Sequence, residues 1–176
     1  MIATAWYMVI FRLVHILVGV AWVGSVFLLV TQIQPTAAAI APAGAPFMAE
    51  LLGKRRLVQR IIGMGIVTIV AGFFLYWHDW HMYSSFGDWI GSTFGLTLTV
   101  GAIAAIVAVT IGIVVTRPNV DRMLALMQQI GASQGAPTPE LVGQLGAIQA
   151  RLRLASRGSL VLLVLAVLAM SMARYL

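Results

Sequence analysis

Three histidines and no cysteine set the chemistry open to this chain. One of them, His15, lies inside the apolar stretch from Trp6 to Thr31, three residues after Arg12. That spacing puts both side chains on one helix face. Gly19 and Trp22 continue the same face at spacings of four and three. An ionisable pair within a membrane helix is costly, and by default it marks a site. At a helical rise of about 1.5 Å per residue, His15 lies roughly 10 Å inside the aromatic belt of Trp6 and Tyr7, with Arg12 one turn nearer the surface. This arrangement suits haem b. The imidazole would bind iron, Arg12 would meet a propionate, and Gly19, with Trp22 beside it, would let the macrocycle lie against the helix. A second axial ligand would come from His78 or His81. The same residues also allow a plainer reading, in which His15 hydrogen-bonds to a neighbouring helix and Arg12 snorkels to the headgroups. A copper site or a proton path is the remaining alternative.

The second constellation is His78, Asp79, His81, Met82 and Asp88, all within one short loop. Imidazole and carboxylate ligands three apart can bind copper or zinc, and Met8 and Met172 could add thioethers suited to Cu(I). Interfacial loops are also commonly rich in His, Asp and Trp without any metal. The chain has no HExxH, no Gly-rich phosphate loop and no plausible Ser–His–acid set. The absence of cysteine excludes disulfides, thiolate metal sites, iron–sulfur clusters and covalent c-type haem.

Composition defines the elements that must position these groups. Of 176 residues, 61% are hydrophobic and only 9% charged, whereas soluble domains carry about a quarter charged residues. The expectation is an all-α, single-domain polytopic membrane protein. Four transmembrane helices at about 5–33, 57–77, 94–116 and 158–174 would form an antiparallel bundle. The first run is not expected to be a secretory leader, because no Lys or Arg precedes it and it exceeds the usual core of about 7–15 residues.

Gln32, Gln34 and Pro35 are expected to end the first helix, and PTAAAIAPAGAP (35–46) to be a loop, since proline interrupts helices. From Phe47 the chain can be helical again. Trp77, Trp80, Tyr83 and Trp89 form a second aromatic belt. Ala104, Ala108 and Gly112 make a small-residue face for close packing. Residues 118–157 are expected to form an amphipathic helical hairpin outside the membrane. Val120, Met123, Leu124, Met127 and Ile130 line one arm, and Leu141, Leu145, Ile148 and Leu152 the other. Thr138 would cap the second arm, with Pro139 at its first position.

The net charge of +6 is unevenly spread. Lys54, Arg55, Arg56, Arg60, Arg117, Arg122, Arg151, Arg153 and Arg157 flank one side, and only Arg12 and Arg174 the other. The positive-inside bias places the nine in the cytoplasm and both termini, with loop 78–93, on the outer side of a prokaryotic inner membrane. Topology and anionic lipid account for the basic excess better than nucleic acid does.

RLVHILVGVAWVGSVF resembles the first helix of the copper-resistance D (CopD-like) membrane family and of the related HemJ-type protoporphyrinogen oxidases. KRRLVQRIIGMGIVTIVAGFFLYW resembles their second helix, and RLRLASRGSLVLLVLAVLAMSMARYL their last. The motif-like residues are His15, Trp22, Gly24 and the Arg55–Arg60 patch. The resemblance implies that His15 is a haem ligand, as in the HemJ-like relatives, or that His15, His78 and His81 serve copper passage at the outer face. Those relatives commonly carry a lysine in the third helix, where this chain has no charge. The leading expectation is a haem b redox protein or a haem-bearing subunit of a membrane electron-transfer assembly. A copper-handling protein and a cofactor-free structural subunit are the alternatives. Its partners would be the bilayer and other membrane subunits, or further copies of itself.

Overall fold

The computed structural model describes residues 2–132 and 136–176, with side chains from Trp6 onward in the first helix. It is an all-α bundle, and the described residues contain no strand. The helices are α1 (Ile2–Leu28), α2 (Gln34–Ala39), α3 (Gly44–Ala49), α4 (Leu57–Trp80), α5 (Phe86–Gly91), α6 (Thr93–Ile111), α7 (Arg117–Ala132) and α8 (Pro139–Met172). Four stretches are long and apolar enough to cross a membrane: Trp6–Ala39, Leu57–Trp80, Thr93–Ala132 and Pro139–Tyr175.

Two expectations about breaks need correction. The first helix does not end at Pro35, and 35–46 is mostly helical rather than a loop. A five-residue π turn, Leu29–Ile33, joins α1 to α2, and the Gln34 amide closes it by donating to the Leu29 carbonyl. A second π turn, Gly112–Thr116, joins α6 to α7, closed from the Arg117 amide to the Gly112 carbonyl. Each turn is followed one residue later by a proline, Pro35 or Pro118. Proline lacks an amide proton, and its ring crowds the carbonyl four residues back. The wider π turn relieves that conflict, so the helix passes through the proline. Asn119 helps by donating from Nδ2 to the Val115 carbonyl at 2.7 Å.

The two arms of the expected hairpin are continuous with spans. The first arm, α7, continues the third span, and the second is the opening half of α8, which runs unbroken into the fourth span. Thr138 caps α8 as expected, accepting from the Leu141 amide, with Pro139 first in the helix. The turn at 131–137 falls partly outside the described residues.

Packing follows the small residues. Ala104 and Ala108 are buried, Gly101 lies against Met170 and Ala169 of α8, and Gly112 against Ile62 of α4. The small face of α6 is thus consumed inside the bundle. One core cluster joins Trp22, Val26, Ile61, Ala108, Leu163 and Ala166 across the four spans. A second joins Leu52, Val58, Val120, Met123 and Leu152 beyond them. Because this second cluster draws on all three basic segments, the nine cations share one end, here called the basic end.

The opposite end closes differently. Ser85 caps α5 by accepting from the Asp88 amide, and Ser92 caps α6 by accepting from the Gly95 amide. Between them Trp89 is fully buried, at 0% exposure. Tyr76, Tyr83 and Phe94 meet it edge-on, and the Tyr76 hydroxyl pairs with Thr99 Oγ1 at 2.8 Å.

Candidate functional site

The face of α1 that carries His15 packs against α4, large residue into small. A methyl group built at Gly72 would stand 2.7 Å from His15 Cε1, and one at Gly65 would stand 2.8 Å from the Trp22 ring. Between these, Gly19 meets Thr68 Cγ2 at 3.3 Å from its own built Cβ. The contacts run antiparallel at intervals of three and four residues, as two helix ridges require. Gly65, Thr68 and Gly72 were missed by sequence reasoning, although their spacing of three and four was a legible small-residue stripe.

His15 is half-buried, and its Nδ1 donates to the Thr68 carbonyl at 2.8 Å in the tautomer that bears the proton there. This leaves Nε2 as the ring's acceptor, 3.8 Å from a Cβ built at Gly72. A backbone carbonyl on one ring nitrogen is the usual way a protein fixes a histidine that binds metal through the other. The rest of the expected porphyrin site is not assembled. Gly19, expected to make room for a macrocycle, instead receives Thr68, and Trp22 is 3% exposed against Gly65. Arg12 is exposed on the flank of α1, within electrostatic reach of Asp79.

The loop histidines turn elsewhere. His78 lies two turns from Gly72 toward the aromatic end, with Nδ1 3.1 Å from the Tyr7 hydroxyl. His81 folds back on its own helix, its Nδ1 2.7 Å from the Trp77 carbonyl and its ring against Trp77 and Trp80. Asp88 is held by Ser85 Oγ at 2.8 Å, and Met82 is exposed. Among the described residues no three His, Asp or Glu side chains gather as a metal group. The reason is local: His78 meets Tyr7, His81 its own helix and Asp88 its own cap.

Two hollows lie toward the basic end. One is a small cavity of about 50 Å³ between the spans, lined by Trp22, Ile61, Val109, Thr116, Ser156 and Ser159. That volume suits a few waters and not a porphyrin. The other is an open cleft of about 1000 Å³ between α3, the π turn Glu50–Lys54 and α7. Its apolar wall is Ala45, Pro46, Leu124 and Met127, and Lys54, Arg56, Glu50 and Gln128 supply its polar rim. Glu50 pairs with Lys54 at 3.0 Å and with Arg55 at 3.5 Å. The hydrogen bond from Lys54, with the nearby cationic charge, holds the Glu50 carboxyl below its usual range. Arg56 has no ion pair among the described residues, and its backbone is left-handed, with φ 50°. For a residue other than glycine that conformation costs about 1–2 kcal/mol.

Fold and composition together define an all-α polytopic membrane protein. No family model matches the chain, and no curated protein or solved structure matches it either.

Proposed function

We propose that this chain is a non-catalytic structural subunit of a membrane complex, presenting a rigid cap beyond the bilayer. One observation carries the reading. Two of the four spanning helices, the third and the fourth, run on past the basic line and build a second core there with Leu52 and Val58, while large apolar side chains stay uncovered on the cap. Phe47 is 51% exposed and Leu154 77% exposed. Apolar groups left outside the spans mark interaction surfaces. The positive-inside bias turns this cap toward the cytoplasm of a prokaryotic inner membrane and both termini outward. The test is the size of the particle in mild detergent. The native chain should run as a defined assembly, and Leu154→Asp should release it with the melting temperature unchanged. A native chain that is monomeric in both detergent and nanodiscs would remove the proposal.

A second reading keeps a specific support, the imidazole of His15 held through Nδ1 with Nε2 left over. Haem b would bind there only where a neighbouring subunit supplied the other wall and ligand. The group would contribute one-electron chemistry, and this chain a fixed imidazole with Arg12 a turn away. A Soret band present in the purified assembly and lost in His15→Ala supports it, and a colourless assembly ends it. The copper reading has no comparable support, since His78 and His81 face Tyr7 and Trp77.

A further inference from the structure

We infer that the basic-end cleft is a binding site for an anionic phospholipid, with Arg56 as its principal phosphate ligand. Four observations meet at this residue. First, Arg56 adopts a left-handed backbone, φ 50° and ψ 42°, where glycine would fit without strain. Strained backbone positions concentrate where a side chain is needed in one place. Second, its guanidinium has no ion pair among the described residues, whereas its neighbours Lys54 and Arg55 both lean on Glu50. Third, Arg56 directly precedes Leu57, the first residue of a helix long and apolar enough to cross a membrane, and cations that flank a span on its cytoplasmic side meet the headgroup layer. Fourth, it lines a cleft whose other wall is apolar, formed by Leu124 and Met127 of α7 and by Pro46 of α3.

The charge balance selects the occupant. Arg60, Arg117 and Arg122 belong to the same end and also lack ion pairs among the described residues, whereas Glu50 and Asp121 are the acids nearby in sequence. A phosphate with net negative charge gains from this field, and a zwitterionic headgroup gains far less. Guanidinium matches phosphate oxygens in a bidentate fork. The cleft lies on the cap side of Arg56, so it takes the headgroup, and the acyl chains stay along the spans. This inference does not depend on what His15 binds or on the partner of the cap.

The test uses the full chain in nanodiscs of phosphatidylcholine alone or with phosphatidylglycerol added, read as melting temperature. Phosphatidylglycerol should raise the native melting temperature by several degrees. Arg56→Gly removes the guanidinium and relaxes the backbone, so in phosphatidylcholine it should melt at or above the native temperature while losing most of the phosphatidylglycerol increment. Arg56→Lys should keep part of the increment, and Arg60→Gln nearly all of it. An absent increment in the native chain overturns the proposal, as does a full increment in Arg56→Gly. Glycerol phosphate added to phosphatidylcholine discs should have no effect. If it reproduces the increment, the site takes a soluble phosphate and the lipid assignment fails.

Discussion

The two ends of the bundle solve the same problem in opposite ways. At the aromatic end the chain turns quickly, caps two helices with serines, and drives one tryptophan into a tight ring of aromatic neighbours. At the basic end two spans run on, and the chain assembles a second core with an open cleft beside it. Both ends expose apolar side chains, Met82 and Phe86 at one and Phe47 and Leu154 at the other, but the open cleft lies at the basic end. The contrast teaches that the same bundle can close one end with a single buried aromatic and the other with a second core.

The largest expected effect would come from breaking the closed end. Trp89→Ala should cost about 3–5 kcal/mol, the usual loss for a buried tryptophan, read as a large drop in melting temperature in detergent. If Trp89→Ala is mild, the aromatic end is not the anchor described. Next is the α1–α4 crossing. Gly65→Ala forces a methyl group into the Trp22 ring and Val109 and should destabilise by about 1–3 kcal/mol. Its control is Gly63→Ala, where no atom lies within 4 Å of the added carbon, and stability should hold or rise. Equal losses at both positions would show that helix propensity, not the crossing, is being measured. His15→Ala should cost about 0.5–1.5 kcal/mol through the bond to Thr68, much less than Gly65→Ala. A larger loss would mean that the ring does more than brace two helices.

The smallest effect belongs to the open end and depends on pH. Glu50 has its folded pKa below its ordinary value of 4.5. Its pairing therefore contributes above pH 4.5 and fades as pH falls through the lower, folded value. Because Glu50 is exposed, water screens the effect, and Glu50→Gln should flatten only a slight acid-side decline in the melting curve. A decline starting near neutral pH would point to another group.

The spans were legible because long apolar runs and clustered cations are global signals. The four helices, the Thr138 cap and the packing role of Ala104, Ala108 and Gly112 all follow from such patterns. The continuity of the helices was not legible at Pro35 and Pro118, where proline reads as a break and only the neighbouring turn geometry reveals otherwise. The site residues divide similarly. The common face of His15, Gly19 and Trp22 was visible, but its occupant was not, because a face alone does not say whether a helix or a ligand fills it. Gly65, Thr68 and Gly72 held that answer in a different helix. Arg56 looked like one cation among nine until its backbone singled it out.

The π turns also act as phase shifters. Each interposes one residue more than regular winding needs, so the side chains after it are displaced by about 100° around the axis relative to an uninterrupted α-helix. The bilayer half and the cap can therefore aim their apolar stripes in different directions along one continuous rod. Removing a single residue from Gly112–Thr116 would restore regular winding and swing Val120 and Met123 away from Leu152, leaving the lipid-embedded half in register and the cap rotated out of it.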